Sequence, residues 1–182
     1  YEKSDIAERL KLANRPYALL TMHRPSNVDE PDRLRAWISS LTEASRSLGL
    51  RIVFPVHPRT KAQLDQAKIK MDEDIFHAID PVGYLDLLRL QASAELVLTD
   101  SGGLQEEACI LRVPCVTLRA NTERPETLHV GANILHNHPD KIALEAVMRD
   151  AMAKVRHWQN PFGDGKTGER VIDILFPPSP SS

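Results

Sequence analysis

Residues 99–108 are TDSGGLQEEA, and they follow an apolar run at residues 94–98 that predicts a buried strand. The pattern predicts a strand, a tight turn and a helix N-terminus in succession. The free N–H groups of a first helical turn and the positive end of the helix dipole both attract an anion, so this turn is a candidate phosphate site. Gly102 and Gly103 carry no Cβ that would keep a ligand away from the backbone, and Ser101 adds a hydroxyl donor.

The helix after this turn is predicted to continue through Leu111 and to carry a second ligand group. Glu107 lies one turn beyond Gly103 on the same side of that helix, where its carboxylate can accept hydrogen bonds from a ribose diol. On its own the segment has an alternative explanation, a strand–helix turn that uses glycine only for its shape.

The composition favours one globular domain. The 182 residues, 42% hydrophobic and 26% charged, suffice for a core with an ordinary polar surface. We expect a single domain over residues 1–176 and a disordered tail over residues 177–182, which are PPSPSS. A net charge of −2 with dispersed Lys and Arg argues against a nucleic-acid partner, and no apolar stretch approaches the ~20 residues that span a membrane.

The two cysteines, Cys109 and Cys115, are too few for a disulfide framework, and their spacing fits no zinc motif. We expect buried free thiols and a cytoplasmic location. No metal is expected, because the histidines and carboxylates lack ligand spacing, and the absence of a GxGxxG string predicts no nicotinamide cofactor. The start at Tyr1, without Met or an apolar signal region, suggests an excised fragment.

Strand-like and helix-like patterns alternate along the whole chain. This alternation predicts an α/β, Rossmann-like fold, in which helices cover both faces of a mostly parallel sheet. Asn27, with Glu30 three residues later and then Pro31, predicts the start of the first long helix. Strands are predicted at residues 17–22, 52–56, 75–79, 96–99, 113–118 and 133–135, and helices at residues 31–48, 60–70, 84–92, 141–155 and 168–175, with Val155 on the inward face of the helix over 141–155.

Polar clusters follow four different predicted strands. They are His23 with Arg24, then His57, the turn at residues 101–103, and residues 119–126. Ligands of such sheets bind at the carboxyl ends of the strands, so we expect these four clusters to meet at one edge.

The string TDSGGLQEEA, followed by RANTERPE at residues 119–126, closely resembles the non-hydrolysing UDP-N-acetylglucosamine 2-epimerases. The resemblance runs from about Tyr17 to Leu175 but covers only the C-terminal half of the family's usual architecture. It implies the UDP-binding half of a GT-B type fold, a UDP-sugar substrate, a missing N-terminal domain as partner and a homodimer as one form of the full-length protein.

The resemblance also implies roles for residues near the first strand. The family has an HRxEN-type motif, and this chain keeps His23, Arg24 and Asn27 but has Ser26 where the motif usually has Glu. His23 matches a residue implicated in catalysis, where it would protonate or steady the leaving diphosphate. Arg24 would contact the phosphate or ribose. The alternative for His23 is a structural histidine that satisfies backbone carbonyls at the end of a strand. His57 matches a PxHP string and is expected to have a binding or structural role.

Two further stretches match the family. Leu87 occupies a position that packs against the base, whereas Tyr84 is expected in the core. Arg119 resembles a diphosphate contact, because a guanidinium can bind phosphate with two parallel hydrogen bonds. Residues 122–126 would form the loop beside it, with Thr122, Glu123 and Arg124 as candidate contacts, but Glu123 could simply pair with the two arginines. Residues 160–165 (NPFGDG) are expected to form a structural glycine turn.

The family inverts C2 of the sugar in UDP-N-acetylglucosamine by eliminating UDP and adding it back, which gives UDP-N-acetylmannosamine. Its carboxylate bases belong to the absent half, so we expect this chain to bind UDP weakly and not to epimerise. Three alternatives stay open: a GT-B glycosyltransferase, a hydrolysing epimerase and a non-catalytic UDP-sugar-binding module. Retaining glycosyltransferases often have two Glu eight residues apart, but the eighth residue after Glu106 is Pro114 and after Glu107 is Cys115.

Overall fold

The computed structural model describes residues 1–12 and 15–176, and the tail expected at residues 177–182 lies outside them. Within this part the six-stranded sheet has the order β3-β2-β1-β4-β5-β6, and all five strand pairings are parallel. This confirms the predicted α/β fold with a parallel sheet. The strands are β1 (Tyr17–Thr21), β2 (Arg51–Pro55), β3 (Phe76–Ile79), β4 (Leu96–Thr99), β5 (Cys115–Thr117) and β6 (Asn133–Leu135).

Helices cover both faces of this sheet, as the sequence predicted. Successive residues of each strand point to opposite faces, so each face has side chains that pack against helices. Leu20 packs in a core cluster with Trp37 and Met148, whereas the preceding Leu19 packs with Leu90 and Ala108 on the other face. The helices are α1 (Ile6–Arg9), α2 (Pro25–Val28), α3 (Pro31–Leu48), α4 (Pro58–Gln66), α5 (Tyr84–Ala92), α6 (Gly102–Ile110), α7 (Pro125–His129), α8 (Lys141–Ala153) and α9 (Thr167–Leu175). None of the helices in residues 1–12 and 15–176 is long and apolar enough to cross a membrane.

The strand order changes direction between β1 and β4, which positions the candidate site. The chain moves outward from β1 through β2 to β3 and then returns to form β4 on the other side of β1. Thr21 and Thr99 end these two strands in register, and their hydroxyl oxygens lie 2.6 Å apart. A crevice opens at such a switch point because the two following connections leave on opposite sides of the sheet.

Several local predictions were wrong. The predicted start of α3 at Pro31 is confirmed, with Glu30 as the N-cap residue, but the capping pair is absent, because Asn27 lies buried in the separate short helix α2 and Glu30 makes no side-chain capping bond. Tyr84 is not in the core but is 61% exposed at the start of α5. Val155 does not face inward and is 75% exposed, because α8 ends at Ala153 and Lys154 is extended.

Two other predictions are confirmed. Cys109 and Cys115 are free and buried, and burial raises the pKa of the Cys115 thiol to about 12. The glycine turn at residues 160–165 is present, with Gly163 and Gly165 at φ angles of 88° and 80°. Asn160 closes it by accepting a 3.0 Å hydrogen bond from the Phe162 N–H.

Candidate functional site

A cavity of about 190 Å³ opens at the switch point of the sheet. Residues that follow β1, β2, β3 and β4 contribute to its wall, so the structure brings three of the four predicted clusters to one pocket. The wall consists of Thr21, Met22, His23, Pro55, His57, Pro81, Val82, Leu87, Ser101 and Leu104. Most of these side chains are apolar, which suits a flat heterocycle, while the polar groups lie at the strand ends.

The Ser-Gly-Gly turn forms the N-terminus of α6, as predicted. Ser101 is the N-cap residue in an extended conformation, and its hydroxyl makes no capping bond with the helix. A Cβ built on Gly103 would meet nothing within 4 Å, so a ligand can approach this backbone closely. The helix has nine residues, and the N–H groups of its first turn have no partner within the helix. These features make the turn a candidate anion site.

Behind this turn lies Asp100, whose side chain is fully buried. Its Oδ2 atom accepts hydrogen bonds from the backbone N–H of His23 (3.0 Å), the backbone N–H of Arg24 (2.9 Å) and the Nδ2 of Asn27 (3.1 Å). The segment after β1 is thereby fixed to the end of β4. Asp100 was not among the predicted site residues, although an acidic residue that ends a buried strand is a signal visible in the sequence.

His23 and His57 face one another across the pocket, with ring centroids 5.2 Å apart. Partial burial lowers the pKa of His23, opposed by the nearby Asp100 carboxylate and reinforced by His57 and Arg24. His57 is the N-cap of α4, and its Nδ1 accepts a 3.2 Å hydrogen bond from the Arg59 N–H. His57 thus has the structural role that was one of its two predicted roles, and it also lines the pocket.

Glu107 points from α6 with one carboxylate oxygen, Oε2, buried and without a hydrogen-bond partner among residues 1–12 and 15–176. Burial raises the pKa of Glu107, while the Tyr84 hydroxyl acts in the opposite direction. The negative charge of Glu107 in turn raises the pKa of the exposed Tyr84. A buried acceptor without a donor is costly, so this oxygen is suited to receive a hydroxyl from a ligand.

Arg119 is paired rather than free in this structure. Its guanidinium binds the Glu123 carboxylate at two points, and this pairing is the main reason that the pKa of Glu123 falls to about 2. Arg24 also lowers the pKa of Glu123, so both arginines act on the same carboxylate. The alternative for Glu123, an ion pair with Arg119 and Arg124, is thus present for Arg119 alone, because the Arg124 guanidinium pairs with Glu106 instead.

The loop over residues 119–126 is fastened to α6 by two contacts. Arg124 Nε donates to Glu106 Oε2 at 2.6 Å, and the Thr122 hydroxyl donates to Gln105 Oε1. Gln105 is fully buried and its amide also donates to the carbonyl of Ser101 at 3.1 Å. The sequence reasoning missed Gln105, which links the loop to the turn, because a polar residue inside a helix gives no signal of its own.

The described residues, 1–12 and 15–176, contain no group of three His, Cys, Asp or Glu side chains arranged to hold a metal ion. The candidate site offers several groups that can act on an anionic ligand. It comprises an open helix N-terminus, two arginines, two facing imidazoles and a buried carboxylate oxygen.

The family model for UDP-N-acetylglucosamine 2-epimerase matches residues 1–176. A UDP-N-acetylglucosamine 2-epimerase from Methanocaldococcus jannaschii is 50% identical over 163 residues, 87% of this chain and 44% of the relative. A UDP-2,3-diacetamido-2,3-dideoxy-D-glucuronate 2-epimerase from Pseudomonas aeruginosa is 34% identical over 159 residues, again 87% of this chain and 44% of the relative.

Among solved structures, the M. jannaschii UDP-GlcNAc 2-epimerase in complex with UDP-GlcNAc and UDP superposes with a TM-score of 0.84 and 46% identity. The similarity covers 96% of this chain and 49% of that one, in agreement with the expected half of a GT-B type fold. The chain thus spans about half the length of the curated relatives it matches.

Proposed function

The chain belongs to the UDP-N-acetylglucosamine 2-epimerase family, and from this membership we propose that it is the UDP-binding half of a non-hydrolysing epimerase. The complete enzyme would interconvert UDP-N-acetylglucosamine and UDP-N-acetylmannosamine. The observation that supports this best is the combination on α6 of an N-terminus without a side-chain cap and, one turn later, the buried Glu107 Oε2, which has no hydrogen-bond partner within residues 1–12 and 15–176. We propose that the phosphates of a nucleoside diphosphate bind at the first feature and its ribose hydroxyls at the second.

In the proposed complex the uracil packs in the apolar pocket against Leu87, and the Glu107 carboxylate accepts hydrogen bonds from the ribose hydroxyls. The diphosphate lies at Ser101, Gly102 and Gly103. Arg119 and Arg24 supply positive charge there. Both arginines lower the pKa of Glu123, and Glu123 lies over the same turn, so both are near the position proposed for the diphosphate. The Oε2 of Glu123 is only 3.5 Å from a Cβ built on Gly102.

The proton on C2 of the sugar is not acidic, so we propose that the complete enzyme eliminates UDP and then adds it back. In the elimination the C1–O bond breaks and negative charge develops on the departing diphosphate. His23, in the pocket wall, would transfer a proton to that leaving group and recover it on re-addition. The helix N-terminus and the arginines would stabilise the charge meanwhile.

The carboxylate bases for the C2 proton would come from an N-terminal domain. A surface suited to pack against such a domain exists on α9, whose residues are all at least partly exposed. Its exposed apolar side chains, together with the residue that follows, are Val171, Ile172, Ile174, Leu175 and Phe176. A homodimer of the full-length protein and a cytoplasmic location, in which buried Cys109 and Cys115 remain reduced, complete the proposal.

Calorimetry with UDP and product analysis test this function together. We expect the chain to bind UDP, to bind uridine more weakly, and not to bind ADP. Incubated alone with UDP-N-acetylglucosamine, it should form no UDP-N-acetylmannosamine. Turnover by the pure chain at ordinary enzyme rates would overturn the two-domain proposal, and no binding of UDP at saturating concentration would overturn the site.

The complete protein, with its N-terminal domain, distinguishes the alternatives by product. Epimerised sugar still attached to UDP indicates the non-hydrolysing epimerase, whereas free N-acetylmannosamine indicates the hydrolysing one. Sugar transferred to an acceptor indicates a glycosyltransferase, and an unchanged substrate indicates a binding module. Because a relative from P. aeruginosa is an epimerase of a diacetamido glucuronate, the assay should include that class of UDP-sugar as a second substrate.

A further inference from the structure

We propose that Asp100 is a positioning residue, which holds His23 as the Nδ1–H tautomer and so leaves Nε2 as the nitrogen that exchanges protons in the pocket. The chemical consequence for the leaving diphosphate rests on the function proposed above, but the tautomer itself does not.

The two oxygens of Asp100 have different partners. Oδ2 is saturated, because it accepts from the backbone N–H groups of His23 and Arg24 and from the amide of Asn27. Oδ1 receives a longer bond from the His23 N–H at 3.2 Å and faces His23 Nδ1 at 3.3 Å. If Nδ1 were unprotonated, its lone pair would lie close to a carboxylate oxygen that is itself fully buried, although the imidazole ring is 35% exposed. A proton on Nδ1 replaces that repulsion by attraction.

Asp100 cannot rotate away from this contact without breaking a second network. The Nδ2 of Asn27 donates both to Asp100 Oδ2 and, at 2.9 Å, to the carbonyl of Leu118. The Oδ1 of Asn27 accepts a 3.2 Å hydrogen bond from Trp37 Nε1, whose ring is fully buried. The Asp100 carboxylate is therefore held by the Asn27 amide, which is itself fixed by two further hydrogen bonds. A side chain that orients another, as Asp100 would orient His23, has to be held in this way.

His57 shows the opposite arrangement on the facing wall. Its Nδ1 accepts from the Arg59 N–H, so in the neutral ring the proton is on Nε2. The charged and titratable groups around His23 are Asp100, His57 and Arg24. Only Asp100 favours the protonated ring, because the other two add positive charge. The pocket then presents an Nε2 acceptor from His23 beside an Nε2–H donor from His57.

The direct test is the nitrogen chemical shifts of the imidazoles in the ¹⁵N-labelled full chain without ligand, above the His23 pKa. His23→Gln and His57→Gln spectra assign the two rings. We expect His23 as the Nδ1–H tautomer and His57 as the Nε2–H tautomer. His23 found as Nε2–H overturns the proposal, and this result is independent of whether the variants described next fold.

The second test is Asp100→Asn, with Asp72→Asn as the control, because Asp72 is an ion-paired carboxylate on the surface. Loss of the negative charge should lower the pKa of His23 further and mix its tautomers, whereas the control changes neither. An unchanged pKa and tautomer in a folded Asp100→Asn chain overturns the proposal. Failure of the wild-type chain to bind UDP would count against the proposed function alone, since neither measurement uses a ligand.

Discussion

Arg119 and Glu123 form a two-point ion pair, with Nη1 2.8 Å from Oε2 and Nη2 2.7 Å from Oε1. The same Oε2 atom lies 3.5 Å from the position that a Cβ on Gly102 would occupy. A carboxylate therefore lies over the turn that is suited to bind an anion, and it engages the guanidinium proposed to bind the diphosphate. In the proposed complex, a ligand phosphate would compete with Glu123 for the same positive groups.

We therefore expect Glu123→Gln to tighten UDP binding by about threefold to fivefold, because partly exposed pairs of this kind contribute at most about 1 kcal/mol. The matched control is Glu145→Gln, which removes the partner of Arg149 in an ion pair of the same i,i+4 spacing on α8. Calorimetry at low salt gives the affinities. Weaker UDP binding by Glu123→Gln would show that the carboxylate supports the loop rather than competing with the ligand.

The buried oxygen of Glu107 leads to a prediction that depends on the ligand. Glu107→Gln should weaken UDP about tenfold, because hydrogen bonds to a charged group contribute about 1.5 kcal/mol or more. The same variant should leave the affinity for 2′,3′-dideoxy-UDP unchanged, since that compound lacks the hydroxyls that Glu107 would bind. An equal loss for both ligands would reject the ribose assignment.

The raised pKa of Glu107 predicts how binding depends on pH. Partial burial places this pKa above the ordinary 4.5, so the carboxylate begins to take up a proton at a higher pH than an exposed glutamate does. A protonated carboxyl accepts hydrogen bonds less well, and affinity for the ribose should fall as the pH is lowered from 7 towards 4.5. His23 gains positive charge as the pH falls through its pKa, which burial holds below the ordinary value, and this charge would favour a diphosphate and act in the opposite direction.

Uridine separates the two effects, because it has the ribose hydroxyls but no phosphate. We expect uridine affinity, followed by NMR titration, to decrease on acidification in the wild-type chain and to stay level in Glu107→Gln. A level profile in the wild type would indicate that the ribose does not contact this carboxylate.

The sequence predicted the parts of the site that depend on local pattern. The strand before Ser101, the glycines of the turn and the position of Glu107 on α6 all follow from periodicity and the allowed approach of a backbone. The predictions for Asn27 and Tyr84 were wrong because each residue fits a local pattern, a helix cap for Asn27 and a core position for Tyr84. A contact with a residue distant in sequence overrides that pattern. The partner of Asn27 is Asp100, 73 residues away, and no local pattern encodes such a pair.

Asn27 also gives the sharpest stability prediction. Its buried amide has three partners, so Asn27→Ala would leave the Leu118 carbonyl and Trp37 Nε1 without theirs and remove one of the donors to Asp100. We expect a loss of about 3 kcal/mol in the free energy of unfolding, measured in urea, because each unsatisfied buried group costs about 1–3 kcal/mol.

The control for that measurement is Asn160→Ala, which removes an amide with two hydrogen bonds in an exposed turn. Water can replace those bonds, and the expected loss is below about 1 kcal/mol. Equal losses in the two variants would mean that water reaches the Asn27 site as well. Asp100 would then not be held in the dry environment on which its effect on His23 depends.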